Sequence, residues 1–188
     1  MASAKLNVLG ICGSLRKGSY NRMTLNTAIE LAPADMAIET FDRIGEFPLY
    51  NQDLEAQGFP QVVLDLGARI RAADALLFVT PEYNYSMPGV LKNAFDWASR
   101  LPDQPFNDKP CAIMGASTGA IGTARAQYHL RQSCVFVNLR PLNRPEVMIG
   151  HARERFDENG RLTDEATRKF IAKQLVALAD WTRQLQPR

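Results

Sequence analysis

Short apolar runs alternate along the chain with longer stretches in which apolar residues return every three or four positions. Residues 5–11 (KLNVLGI), 75–80 (ALLFVT) and 110–117 (PCAIMGAS) are nearly free of charged side chains. A strand covered on both faces reads this way, because each of its two sides meets another layer. Residues 36–41 (MAIETF) alternate, which predicts a strand near an edge, and 134–139 (CVFVNL) predicts a fifth strand. Amphipathic stretches lie between them. The spacing predicts helices over 21–32, ended near Pro33, and over 61–73, where Val62, Leu66, Arg69 and Ile70 share a face. Pro88 suits the first turn of a third helix, where its missing N–H is not needed, and Leu91, Ala94, Phe95 and Ala98 form the buried side. Residues 122–133 give a fourth. Thr163 is placed to cap a last helix, with Asp164 and Glu165 in its first turn and Ile171, Leu175 and Leu178 facing inward. Residues 45–60, with two prolines and two glycines, read as a loop.

The predicted order is β-α repeated five times. Apolar strands alternating with helices imply a parallel sheet with helices on both faces. Right-handed crossovers and short links make this a doubly wound, three-layer α/β sandwich, expected as one domain over 1–188. Ligands of such folds bind beyond the carboxyl ends of the strands, where the winding reverses.

Composition narrows the function. The 188 residues are 46% hydrophobic, enough for one full core. Twenty-two Lys and Arg against twenty Asp and Glu give a net charge of +2, which argues against nucleic-acid binding by bulk charge. No apolar run approaches the roughly 20 residues of a membrane span, so no membrane insertion is expected. The N-terminus lacks the pattern of a secretory signal, and a cytoplasmic protein is expected. Cys12, Cys111 and Cys134 have no CxxC spacing and read as core residues, and the two histidines form no metal-ligand pattern.

Residues 13–21, GSLRKGSYN, follow the first strand directly. This density of donors and positive charge points to a phosphate. Spacing excludes three familiar forms. The dinucleotide fingerprint needs GxGxxG, and Gly10 and Gly13 are three apart. Gly13 and Gly18 fit the P-loop, but Ser19 stands where its lysine is required and Lys17 is misplaced. A Cys-x5-Arg loop from Cys12 would end on Gly18, and Arg16 comes too early. What remains is a turn with hydroxyls at Ser14 and Ser19, an amide at Asn21, the Arg16 guanidinium and a helix N-terminus. It suits one terminal phosphate held without magnesium, as in a mononucleotide. A plain Gly/Ser turn in which Asn21 caps the helix is the structural alternative.

GSLRKGSYN resembles the G-S-x-R-x-x-S-x-N motif of the NADPH-dependent FMN reductase family, whose bacterial members include quinone and chromate reductases. TPEYNYSMPGVLKNAFDW (80–97) resembles that family's P-E-Y-N-x-S-x-P-x-x-L-K-N-x-x-D-W motif, and the likeness extends through SRLPDQPF (99–106) and RAQYHLRQ (125–132). The resemblance implies a flavodoxin-like five-stranded parallel sheet in the order 2-1-3-4-5, with FMN as cofactor. It implies Ser14, Arg16, Ser19 and Asn21 around the phosphate. Pro81, Glu82, Tyr83 and Asn84 would pass the isoalloxazine ring, largely through backbone groups. Glu82 is expected as a solvated loop carboxylate, not a base. Ser117, in GASTGAIG (115–122), would close the site. Tyr83 and Tyr85 would add aromatic surface near a planar ligand, with Tyr85 at the substrate pocket or an interface. Arg125, Tyr128 and Arg131 recur at three-residue spacing, with Glu146 as a hydrogen-bond acceptor for Tyr128. They form either a solvated face or a subunit interface edging the substrate pocket, since the family's members are dimers or tetramers.

The implied reaction passes hydride from NADPH or NADH to flavin N5, and then electrons to a small-molecule acceptor. Quinones, chromate, azo compounds and free flavin all suit an open flavin face. No protein nucleophile is required, and backbone donors from 82–85 or 117–120 would stabilise charge near N1. The rival reading is a flavodoxin-like electron carrier without a hydride-donor site. Arg16 and Lys17 in the loop and the slightly positive net charge argue against it. A third reading is a non-redox mononucleotide-binding module.

Overall fold

The structure is a computed structural model of the chain and describes residues 5–186. Its frame is a parallel sheet of β1 (Leu6–Cys12), β2 (Met36–Phe41), β3 (Ala75–Val79), β4 (Pro110–Ala116), β5 (Arg140–Pro141) and β6 (Val147–Ile149). The order β2-β1-β3-β4-β5 is the expected 2-1-3-4-5 winding. The helices are α1 (Tyr20–Glu30), α2 (Gln52–Ala56), α3 (Gln61–Ala72), α4 (Gly89–Ala98), α5 (Ala124–Phe136), α6 (Ala152–Arg155) and α7 (Glu165–Leu185).

Period-two geometry divides the apolar strand residues between two cores. Leu9, Ile11, Leu76, Phe78, Cys111 and Ile113 pack with α3, α4 and α5. Leu6, Val8, Leu77, Val79, Ala112 and Met114 pack with α1 and α7 on the other face. Each large side chain buried this way contributes about 1.5–3 kcal/mol. The edge strand β2 pairs with β1 alone, as expected of a strand near an edge, and between buried Met36 and Phe41 its residues Ala37 to Thr40 are half-buried or exposed.

Four local expectations are corrected. The apolar run 134–139 is not a strand. It continues α5 to Phe136, because the buried stripe Ala126, Leu130 and Cys134 carries the helix past residue 133. Asn138, at φ 52°, follows in the left-handed conformation that ends many helices. The fifth sheet position is instead shared. β5 pairs with the start of β4 at Pro110 and Cys111, and β6 with its end at Met114 to Ala116. Residues 45–60 contain α2, capped by Asn51, whose side chain accepts from the Asp53 N–H at 2.8 Å. The last helix is capped by Asp164, not Thr163, whose hydroxyl donates to the Arg155 carbonyl. Pro88 stands at the cap of α4, one residue before its first turn. No helix among the described residues is long and apolar enough to cross a membrane.

Two side chains of α4 fix the loop before α2. Trp97 Nε1 and Asn93 Nδ2 both donate to the Pro48 carbonyl at 2.8 Å, and Asn93 Oδ1 accepts from the Tyr50 N–H. The tail of the second motif is therefore scaffold.

β4 approaches its neighbours so closely that Gly115 has no room for a side chain. A Cβ there would lie 2.2 Å from both the Thr80 carbonyl oxygen and Thr123 Oγ1. Gly115→Ala should lower stability by about 3 kcal/mol, through backbone displacement. Urea unfolding would show it as a fall in midpoint at unchanged slope; an unmoved midpoint would mean that the Thr80 turn can shift freely.

Candidate functional site

Three loops leave the carboxyl ends of β1, β3 and β4 and enclose a cleft of about 360 Å³. Its walls are Ser14, Arg16, Ser19, Tyr20 and Asn21 from the first loop, Pro81, Glu82 and Tyr83 from the second, and Ala116, Ser117 and Thr118 from the third, with Arg153 from α6. Of the residues expected at a cofactor, all but Asn84 line it. A larger hollow, of about 690 Å³, lies at the opposite end of the sheet around Lys109 and Trp181, away from these loops.

The first loop is built to leave donors unused. Ser19 caps α1, its Oγ accepting from the Asn21 and Arg22 N–H groups at 3.2 and 3.4 Å. Ser14 Oγ accepts from the Arg16 N–H, and the Ser19 N–H returns to the Arg16 carbonyl. The N–H groups of Leu15, Lys17, Gly18 and Tyr20 have no protein partner among the described residues. The Arg16 guanidinium lies over the Tyr20 ring at 5.6 Å, and no carboxylate pairs with it or with Arg153 among the described residues. Unpaired N–H groups, a helix N-terminus and two guanidinium groups have the chemistry that suits an anion. That donor set fits a phosphate. Burial raises the pKa of the neighbouring Cys12 thiol, which faces the Ser14 carbonyl at 3.9 Å, so the thiolate form is disfavoured.

Asn21 has a second task. Its side chain donates to the Ala116 carbonyl at 2.9 Å and accepts from the Ala116 N–H at 2.8 Å, joining the first loop to the third. Gly13 permits a matching approach to the second loop, since a Cβ would meet Pro88 at 3.0 Å and Pro81 at 3.4 Å.

The second loop is a tight turn. Tyr83 and Ser86 exchange backbone hydrogen bonds at 2.9 and 3.0 Å, while Asn84 and Tyr85 between them have φ of 49° and 69°. Positive φ at both central residues is the requirement of a type I′ turn. Asn84 therefore sits exposed at its tip, outside the cleft lining. Glu82 is not solvated, contrary to expectation: its side chain is 6% exposed and paired with Arg125. Tyr85 lies outside the lining, with its ring under the Arg125 guanidinium at 3.5 Å.

The third loop is stitched to the chain beyond β6. Ser117 N–H donates to Ile149, Ala152 N–H to Ser117, and His151 N–H to Gly119. Ser117 Oγ accepts from the Gly119 N–H. This stitching brings α6, and with it Arg153, to the cleft. Tyr20 and Arg153 were missed in the sequence, and Thr118 was foreseen only within the 117–120 backbone. Tyr20 carried a signal, since it lies inside the first motif; Arg153 carried none, because only the pairing of β6 with β4 folds its segment back.

On α5, Tyr128 Oη and Glu146 Oε2 lie 3.5 Å apart, at the limit of a hydrogen bond. Arg131 turns away from them and donates to the Leu142 carbonyl.

The fold and cleft define a flavodoxin-like α/β protein with a donor-rich cleft at its switch point. The sequence profile of the NADPH-dependent FMN reductase family matches residues 6–154. An NAD(P)H-dependent FMN reductase of Pseudomonas aeruginosa is 60% identical over 184 residues, 98% of this chain and 99% of that one. A quinone reductase of Escherichia coli K12 is 45% identical over 98% of this chain and 99% of its own. Among solved structures, the flavoenzyme NAD(P)H:(acceptor) oxidoreductase FerB of Paracoccus denitrificans superposes with a TM-score of 0.86 at 39% identity, covering 95% of this chain and 98% of that one. The chain belongs to the NADPH-dependent FMN reductase family. It is thus an oxidoreductase that works with FMN and NAD(P)H.

Asn21→Ala would leave the buried Ala116 N–H without its acceptor. The expected loss is about 2 kcal/mol of stability, read from urea unfolding. An unchanged midpoint would show that the two loops do not depend on this bridge.

Proposed function

We propose that the cleft holds FMN with its phosphate on the first loop and its ring between the second and third, and that the enzyme reduces quinones with electrons from NAD(P)H. The observation that carries this reading is the convergence of Ser14, Arg16, Ser19, Asn21, Pro81, Glu82, Tyr83 and Ser117 on one cleft. Ser14, Ser19, Arg16 and the free N–H groups of the first loop take the phosphate, with Arg153 as a second cation from the facing wall. Pro81 to Tyr83 and Ser117 border the ring. FMN held there would supply the redox chemistry between the nicotinamide hydride donor and the acceptor. The chain's own part is to bind, orient and balance charge. Glu82 and Thr118, both on the cleft, have backbone N–H groups without protein partners among the described residues, and these stabilise negative charge on the ring.

The acceptor class is argued from the rim. Tyr83, on the cleft wall, is 51% exposed, so aromatic surface borders an open cleft, which suits a flat quinone. Chromate, azo compounds and free flavin are further acceptors to assay. Self-association through α5 belongs to the same reading. Val135 and Phe136 are 80% and 81% exposed and share a face with Tyr128, whereas such apolar side chains are usually covered.

Two measurements test the proposal. FMN-loaded protein mixed anaerobically with NADPH, then NADH, should bleach and be recoloured by a benzoquinone. Flavin that dithionite reduces and neither nucleotide does would make the protein an electron carrier. In fluorescence titrations, Arg16→Ala should weaken FMN about 10- to 100-fold, and Arg153→Ala by about 3- to 10-fold, with riboflavin affinity unchanged by either. Equal losses for FMN and riboflavin would remove the phosphate from this loop.

A further inference from the structure

Glu82 has a buried carboxylate that the reading above does not use. Its side chain is 6% exposed, yet it lies on the cleft wall. Its partners are all on α5. Oε2 accepts from the N–H groups of Arg125 and Ala126 at 3.1 and 3.2 Å, and Oε1 pairs with the Arg125 guanidinium. α5 has no cap of its own, because Thr123, at the cap position, makes no side-chain hydrogen bond to the first turn. Glu82 supplies that cap from a distant segment, where the helix N-terminus favours negative charge.

The same ion pair fixes where the Arg125 guanidinium sits, which is 3.5 Å from the centre of the Tyr85 ring. Tyr85 is the residue that needs holding. It occupies the second central position of the 83–86 turn at φ 69°, where glycine is preferred and a residue with a side chain costs about 1–2 kcal/mol. Asn84, at φ 49°, tolerates that region better. The turn thus carries strain at Tyr85 that the cation–π contact can offset, since such contacts are worth about 0.5–2 kcal/mol.

We propose that Glu82 is a positioning residue for the flavin. By capping α5 and anchoring Arg125 over Tyr85, it holds the 83–86 turn and so keeps in place the cleft wall of Pro81, Glu82 and Tyr83 that leads into it. This rests on the reading that the cleft holds FMN. Glu82 acts through the turn and takes no proton in the reaction.

The test is a flavin titration of the folded variants, with α5 integrity followed by far-UV circular dichroism. Glu82→Ala should weaken FMN and riboflavin alike, by about 10-fold, because the ring wall is disturbed and the phosphate loop is not. That distinguishes it from Arg16→Ala. Glu82→Gln keeps one neutral acceptor oxygen for the two N–H groups that share Oε2 and should lose less, about 3-fold; it also serves if the alanine variant fails to fold. Tyr85→Gly removes the strain, so adding it to either Glu82 variant should recover most of the lost affinity. A purely structural cap predicts no such rescue. Unchanged riboflavin affinity in Glu82→Gln and Glu82→Ala, or a loss that Tyr85→Gly does not repair, overturns the proposal and leaves the FMN reading standing. Failure of the wild-type protein to bind either flavin overturns both.

Discussion

The cleft depends on a side chain that joins two loops. Asn21 pairs with both backbone groups of Ala116, and so ties the start of α1 to the end of β4 across the intervening strand β3. Without that bridge the first and third loops would each be a separate surface turn. With it, Ser14, Arg16, Ser19 and Tyr20 of one line the same cleft as Ser117 and Thr118 of the other. The bridge is possible only because the sheet is covered on both faces. Burial of both sides of β1, β3 and β4 fixes their register, and register fixes where each loop leaves.

Charge is distributed in the same spirit. Arg16 and Arg153 reach the cleft with no carboxylate partner among the described residues, so their charge is available to a ligand. Glu82 also reaches the cleft, but its charge is neutralised by Arg125 and by the first turn of α5. An unpaired carboxylate in that position would oppose an anionic cofactor. Paired as it is, it adds order to the wall without repelling a phosphate.

Much of this was legible in the sequence. Buried strands announce themselves as apolar runs, and the first loop as a turn with too many donors for its length. The failures share a physical cause. An apolar run such as CVFVNL fits a buried strand and the end of a helix equally well, and the deciding information was the stripe Ala126, Leu130 and Cys134, which lies mostly before the run. The fifth sheet position was illegible because strands of two and three residues carry no period at all. Glu82 looked like a solvated loop carboxylate because its partners are more than forty residues away. Arg153 was invisible because only the pairing of β6 with β4 folds its segment back to the cleft.

The second motif also shows that a contiguous signature need not have one task. Pro81 to Tyr83 border the cleft, while Asn93 and Trp97, on the following helix, hold the Pro48 carbonyl and the loop around it. In between, Tyr85 occupies a backbone position that disfavours it and is stacked beneath an arginine. If only the turn mattered, glycine at that position would serve better, with no need for Glu82 or Arg125. A tyrosine there keeps an exposed ring on the turn whose first residue, Tyr83, lines the cleft. On the proposed reading, a flavin face that serves two reactants in turn must stay open, and an open site cannot position a flat acceptor by enclosure. Aromatic surface at its edge does so instead, and the buried carboxylate behind it keeps that surface in place.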